Sequence, residues 1–180
     1  MNIWDQDKYL KAWNYASAIH KGQKLPGSDI PYINHLGLVA MEATAAIAKG
    51  GIQKPNILTL CALLHDSIED TSTTYQDIIK IFGIEIADGV LSLTKNAELP
   101  SKSEQMKDSI NRIMRQPKEV WMVKICDRIT NLQPPPQHWQ KEKIQNYRAE
   151  AKTIHRLLGS ANEYLGKRLA IKIKDYQQYC

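Results

Sequence analysis

The feature that most constrains the fold is the run from Ala62 to Thr71, where ionisable side chains follow an almost entirely apolar segment. Lys54-Pro55 precedes that segment, and proline favours the first turn of a helix. Nearly every residue from 57 to 64 is apolar, which predicts a helix that is buried on most sides. The ionisable residues at its end are His65, Asp66, Glu69 and Asp70. Burying them is costly unless a cation or hydrogen bonds compensate their charges.

If the helix continues through this run, His65 and Glu69 lie one turn apart on one stripe of its surface. Asp66 and Asp70 then form the neighbouring stripe, so the four side chains share an arc of about 140°. We therefore predict that His65 and Asp66 ligate a metal ion and that the two later acids face the adjacent water. The alternative is an ordinary helix end with solvated acids, but the apolar lead-in and the second acidic pair favour the site.

The remaining chain carries helix signals and no convincing alternating pattern. Two boxes of the type Ser/Thr-x-x-Glu/Gln, Thr73 to Gln76 and Ser101 to Glu104, indicate helix starts, and Pro134 to Pro136 indicates a firm stop. The predicted helices cover about residues 5–21, 32–49, 55–70, 73–83, 84–94, 101–115, 117–132, 139–158 and 161–178. We expect one all-α domain over residues 1–180, a bundle of roughly eight to ten helices.

The net charge and the cysteines indicate which class of partner and which cellular compartment to expect. The net charge of +5 is modest and without Lys/Arg clusters, so it suits a small phosphorylated substrate and argues against nucleic-acid binding. The chain has no apolar run long enough to span a membrane and no N-terminal leader pattern. Cys61, Cys126 and Cys180 show no CxxC spacing, which favours a reducing, cytoplasmic location.

Two residues outside the central run can complete a ligand set. His35 stands near the start of a predicted helix; the alternative is a core histidine satisfied by hydrogen bonds. Asp127 follows an apolar helical stretch, so it should either bind a cation or be paired, for example by Arg128. Two imidazoles and two carboxylates favour an octahedral divalent ion with open water positions, so Mn²⁺ or Fe²⁺ fits better than structural Zn²⁺.

The order of these residues, a histidine, a His-Asp pair and a distant aspartate, resembles the HD superfamily of metal-dependent phosphohydrolases. Within it the chain is similar to the alarmone hydrolases of the Rel/Spo family, especially the stand-alone small hydrolases. The matching patterns are His65-Asp66-x-x-Glu69-Asp70, Pro31-Tyr32-Ile33-x-His35, His20-x-Gly22-Gln23, and Lys124-x-x-Asp127-Arg128-x-x-Asn131, with Trp139 and Tyr147 downstream. The resemblance runs over nearly the whole chain.

This resemblance implies hydrolysis of the 3′-pyrophosphate of ppGpp or pppGpp to give GDP or GTP and pyrophosphate. It makes His35, His65, Asp66 and Asp127 the metal ligands, with Mn²⁺ as the expected ion. Glu69 and Asp70 would orient water and move protons, and Asn131 would contact the sugar. Further candidates for substrate contacts are Lys24, Ser28, Lys95, Lys102, Lys107 and Arg112. For each of these basic residues the alternative is a solvated surface charge.

The chain departs from the family pattern at its base-recognition edge. Leu25-Pro26 replaces the usual Arg-Lys pair, Thr130 replaces a histidine, and Gln133-Pro134 replaces a threonine. A leucine supplies neither the charge nor the stacking of a guanidinium. An adenosine alarmone or a deoxynucleotide therefore stays open as substrate, and so does a non-catalytic nucleotide sensor. Retention of Glu69 and Asp70 beside four ligands argues against the sensor.

Overall fold

A computed structural model describes residues 4–180, and the regular secondary structure in that range is helical, apart from an isolated antiparallel bridge between Lys24 and Pro31. The α-helices are α1 (Gln6–Ile19), α2 (Ile33–Lys49), α3 (Pro55–Leu64), α4 (Ser67–Asp70), α5 (Tyr75–Phe82), α6 (Ile84–Leu93), α7 (Lys102–Ile113), α8 (Lys118–Asn131), α9 (Lys141–Leu158) and α10 (Glu163–Asp175). Ten α-helices in the described residues confirm the predicted all-α bundle. None of the helices within this range combines the length and the hydropathy needed to cross a bilayer.

Helix α3 forms the centre of the bundle. It packs against α1, α2, α6 and α8, and all of its residues except Asn56 are buried. Close approach to α6 depends on Gly89, where an added Cβ would lie 2.7 Å from the sulfur of Cys61. Helices α9 and α10 cover the far side of α8. The apolar run thus became the buried helix that the sequence predicted.

The central helix ends earlier than predicted, which changes how the ionisable residues are presented. It stops at Leu64, His65 is its C-terminal cap, and Asp66 occupies a turn before the short helix α4. The His65 Nδ1 atom lies 2.9 Å from the Ala62 carbonyl oxygen, so the imidazole satisfies a carbonyl at the helix end. The prediction that the four side chains share an arc on one continuous helix is therefore wrong. The His-Asp pair lies at a helix terminus instead.

Side-chain caps begin four of the ten described α-helices, and two of the capping boxes differ from the prediction. Asp5 accepts hydrogen bonds from the backbone of Asp7 and Lys8 and begins α1. The first capping box is one residue later than predicted, because Thr74 and not Thr73 caps α5. Ser101 caps α7 as predicted, since its hydroxyl accepts from the backbone N–H of Glu104. The Glu104 carboxylate, however, bonds the Ser101 hydroxyl at 2.6 Å, whereas in a capping box it would bond the backbone N–H of Ser101.

Candidate metal centre

Three helices bring the four predicted ligands together. His35 lies in the first turn of α2, His65 and Asp66 follow α3, and Asp127 lies in the last turns of α8. Oδ2 of Asp66 is 2.9 Å from Nε2 of His65 and 3.7 Å from Nε2 of His35. Oδ1 of Asp127 is 3.5 Å from Nε2 of His35 and 3.9 Å from Nε2 of His65. His35 and Asp127, 92 positions apart in the chain, meet here because α2 and α8 both pack on α3.

The His65 imidazole has the tautomer that a metal ligand needs. A carbonyl oxygen only accepts, so the Nδ1–H of His65 donates to Ala62, and the neutral ring presents a lone pair at Nε2. Nε2 is buried and lacks a well-aligned hydrogen bond. Its neighbours are carboxylate oxygens, which also carry lone pairs. A cation between these atoms satisfies all of them, and one ligand atom from each of His35, His65 and Asp127 lies within 4.8 Å of the others.

Charge coupling in the cluster is strong. Burial lowers the pKa of the His65 imidazole, but Asp66 and Asp127 outweigh it and raise this pKa to about 9. Burial opposes ionisation of Asp66, yet the two imidazoles hold the pKa of its carboxyl below the usual range. In the absence of a cation, a proton on His65 therefore compensates the carboxylates. A metal ion that binds here must displace that proton, so its affinity rises with pH.

Asp127 is held by two neighbours on its own helix. Nζ of Lys124 lies 3.1 Å from Oδ2, and the Asn131 amide donates to Oδ1. Burial opposes ionisation, but Lys124 and the imidazoles keep the pKa of Asp127 well below its usual range. The prediction that Arg128 pairs with Asp127 is wrong, and the reason is the direction of its side chain. The next residue on a helix points elsewhere, and the Arg128 guanidinium stacks on Tyr147 and contacts Glu150 at 3.2 Å.

The two acids predicted to handle protons have different surroundings. Glu69 accepts from the backbone N–H of Lys95 at 2.9 Å and from its Nζ at 2.6 Å, so both of its oxygens are engaged. Asp70 lies at the exposed edge of the cluster. Partial burial, with Asp66 and Glu69 nearby, raises the pKa of the Asp70 carboxyl. The acid with the freer carboxylate is therefore Asp70.

The predicted substrate contacts are dispersed around the exposed rim. Lys102 and Lys107 are exposed on α7, and Lys24 pairs with Asp29 at 2.5 Å. Ser28 belongs to a turn in which its hydroxyl donates to the carbonyl of Leu25 at 3.2 Å. Arg112 binds Asp108 and two backbone carbonyls, at Leu91 and Thr94, so it joins α6 to α7. Asn131 has an exposed side chain whose amide already contacts a predicted ligand.

Sequence reasoning assigned no role to two residues that contact this cluster. The Tyr32 hydroxyl donates to Oδ2 of Asp66 at 2.6 Å, and the Gln23 amide donates to the backbone carbonyl of Asp70 at 2.7 Å. Both residues belong to motifs that match the family, so the motifs could have marked them as candidate site residues. Their partners were not predictable, because each contact spans a loop whose path depends on the packing of α1 and α2.

Comparisons with known proteins agree with this architecture. A family model described as HD domain matches residues 12–163. Guanosine-3′,5′-bis(diphosphate) 3′-pyrophosphohydrolase MESH1 of Xenopus tropicalis is 31% identical over 166 residues, 89% of each chain. The Danio rerio protein of the same name is 27% identical over 94% of each chain. The solved structure of a metazoan ortholog of SpoT, described as hydrolyzing ppGpp, aligns with a TM-score of 0.82 at 24% identity, covering 96% of this chain and 97% of that one.

Proposed function

The chain belongs to the HD-domain family, and on that premise we propose that it is a metal-dependent hydrolase of the guanosine alarmones ppGpp and pppGpp. It removes the 3′-pyrophosphate and releases GDP or GTP and pyrophosphate. The observation that carries this assignment is the approach of two imidazoles and two carboxylates from three helices beside a further pair of acids. Relatives that match nearly the full length, such as those of Xenopus tropicalis and Danio rerio, bear the name of this activity.

The ligands in this proposal are His35, His65, Asp66 and Asp127. Their mixed nitrogen and oxygen donors, with room for water, suit a single octahedral first-row ion, and Mn²⁺ is the proposed one. When bound, such an ion lowers the pKa of water and polarises a phosphate oxygen. The protein contributes the arrangement of the donors and a buried wall that excludes bulk solvent from three of them, since His35, His65 and Asp127 are less than 10% exposed.

Asp70 is the proposed proton carrier. Its carboxylate is not tied to a cation, and its raised pKa brings it closer to the pH at which it can both take and give a proton. It takes a proton from the attacking water. As the bond between phosphorus and the 3′ oxygen breaks, it returns that proton to the leaving oxygen. Glu69 acts differently: it holds Lys95 at the edge of the site, where the ammonium group can meet a phosphate.

The partner is a small phosphorylated nucleotide, and the rim is where base recognition would occur. Lys95 is the best-placed phosphate contact, because the electrostatic influence of Asp66 and Asp127 already reaches it. Lys24 and Ser28 are the proposed contacts beside the altered Leu25-Pro26 turn, since the Ser28 hydroxyl donates to the Leu25 carbonyl, and Asn131 is the proposed contact to the sugar. Because that turn lacks a guanidinium, we expect weaker discrimination between guanine and adenine than an arginine would give.

We further propose that residues 1–180 act as one HD unit and that it works in the cytoplasm. Helix α3 contacts helices from both halves of the chain, which supports a single cooperative unit. Cys61 and Cys126 are free and buried, and a protein that keeps such thiols is suited to a reducing compartment.

A substrate panel tests the function. Metal-stripped protein is reloaded with Mn²⁺ and offered ppGpp, the adenosine analogue ppApp and deoxynucleoside monophosphates, with release of pyrophosphate or phosphate measured. We expect pyrophosphate from ppGpp and no turnover without metal. Lack of turnover of any 3′-pyrophosphorylated nucleotide at saturating Mn²⁺ would overturn the assignment. A protein with both acids replaced, Glu69→Gln and Asp70→Asn, is the matched inactive control.

A further inference from the structure

The hydroxyl of Tyr32 contacts the predicted ligand Asp66 at its metal-facing oxygen. It donates to Oδ2 at 2.6 Å, and this same oxygen faces Nε2 of His65 and of His35, at 2.9 Å and 3.7 Å. A carboxylate at the end of a helix can rotate, so a single fixed donor decides which of its oxygens turns toward the imidazoles.

Tyr32 is itself held from two directions. Its ring stacks on the imidazole of His20, with centroids 5.2 Å apart and planes inclined by 28°. Its backbone N–H donates to the carbonyl oxygen of Gln23 at 2.9 Å. The hydroxyl therefore has a defined position before any ligand enters.

Gln23 connects this tyrosine to the second half of the site. Its side-chain oxygen lies 2.7 Å from Nδ1 of His20, and its amide donates to the backbone carbonyl of Asp70 at 2.7 Å. His20 is buried, with 3% of its surface exposed. The turn that follows α1 is thus bonded to the segment that carries Asp66 and Asp70, and the tyrosine closes the connection through its hydroxyl.

We propose that Tyr32 is a positioning residue for the metal centre, whose hydroxyl orients the Asp66 carboxylate for the ion. This proposal rests on the metal site of the proposed function and is independent of which nucleotide is cleaved. Groups that hydrogen-bond metal ligands orient those ligands, and their loss typically costs about 10–100-fold in metal affinity. The ring of Tyr32 packs on His20 whether or not the hydroxyl is present, so its structural and positioning roles can be separated.

The experiment compares two tyrosine-to-phenylalanine variants. Tyr32→Phe removes the proposed contact, and Tyr75→Phe is the control, because the Tyr75 hydroxyl also donates to an aspartate, Asp88, at 2.6 Å in another part of the molecule. Metal-stripped parent and variants are titrated with Mn²⁺ by isothermal calorimetry, and their melting temperatures are measured without metal. Hydrolysis is then followed as a function of Mn²⁺ concentration.

We expect Tyr32→Phe to weaken Mn²⁺ binding by about 10–100-fold, with a melting temperature like that of Tyr75→Phe. At saturating Mn²⁺ the KM for nucleotide should remain as in the parent. Equal Mn²⁺ affinity in the parent and both variants would overturn the proposal, and so would a loss confined to stability. Mn²⁺ binding by a parent that hydrolyses no nucleotide would contradict the proposed function alone, because the calorimetric comparison does not depend on turnover.

Discussion

The interior cluster and the exposed rim of this protein are organised in different ways. In the cluster, three of the four predicted ligands are supported by another group: Ala62 holds His65, Tyr32 holds Asp66, and Lys124 holds Asp127. At the rim, the candidate substrate contacts are exposed or already bonded to other protein groups. The difference indicates that the fold fixes the predicted ligands more firmly than the candidate substrate contacts.

Removing a ligand should have the largest effect. Asp127→Asn keeps the volume but removes the charge that compensates the ion, so Mn²⁺ binding and turnover should both fall by more than about 100-fold, since even supporting groups cost about 10–100-fold. Mn²⁺ calorimetry and steady-state kinetics measure both. Asp88→Asn, which removes a carboxylate bonded to Tyr75, is the control. Near-parental metal affinity in Asp127→Asn would contradict the role of Asp127 as a metal ligand in the cluster.

Changing the proton carrier should come next. Asp70→Asn should lower turnover by about 100- to 10,000-fold, the usual range for a general acid–base group. Mn²⁺ affinity should be preserved. Glu69→Gln should lower turnover less, because its carboxylate holds Lys95 and moves no proton in this mechanism. The exposed Glu98→Gln is the control. A larger loss in Glu69→Gln than in Asp70→Asn would reverse the assigned roles.

Rim substitutions should have smaller effects, graded by how firmly each side chain is placed. Lys95→Met should raise KM by about 10-fold or more, since a hydrogen bond to a charged group is worth about 1.5–3 kcal/mol. Lys102→Met and Lys107→Met should each change KM by less than about 5-fold, because exposed ion pairs contribute about 0–1 kcal/mol. Initial-rate kinetics on ppGpp compare the three variants. Equal KM values for all three would show that Lys95 has no special position.

A pH dependence of stability should also separate the cluster from the rim. Because the pKa of His65 in the folded, metal-free protein is raised from 6.5 to about 9, the folded state binds more protons than the unfolded chain across that interval. Stability of the metal-free protein should therefore fall as pH rises from 6.5 to 9. With Mn²⁺ bound the proton is displaced, and this fall should disappear. Melting temperatures with and without Mn²⁺ measure it; identical profiles would contradict the coupling.

Local signals in the sequence predicted much of the fold. The apolar run predicted a buried α3, Asp5 and Ser101 predicted helix starts, and the spacing of histidines and aspartates indicated which side chains to bring together. The break after Leu64 was not predictable from periodicity, because the imidazole of His65 bonds back to its own helix and ends it there.

Long-range pairings were the part that the sequence could not supply. Lys95 and Glu69 meet because α4 and α6 are in contact, whereas Lys124 and Asp127 are only one turn apart on α8. The choice between Lys124 and Arg128 as the partner of Asp127 depends on the direction of each side chain around the helix. Helical spacing alone favours Lys124, one turn before Asp127, over the adjacent Arg128, so this partner could have been predicted from the sequence.

The central claim is that His35, His65, Asp66 and Asp127 hold a single divalent ion, and anomalous diffraction from crystals grown with Mn²⁺ tests it most directly. We expect one dominant manganese peak that lies between both imidazole Nε2 atoms and both carboxylates. A map in which manganese lies elsewhere, or in which no peak occupies this position at a Mn²⁺ concentration that supports hydrolysis, would contradict it.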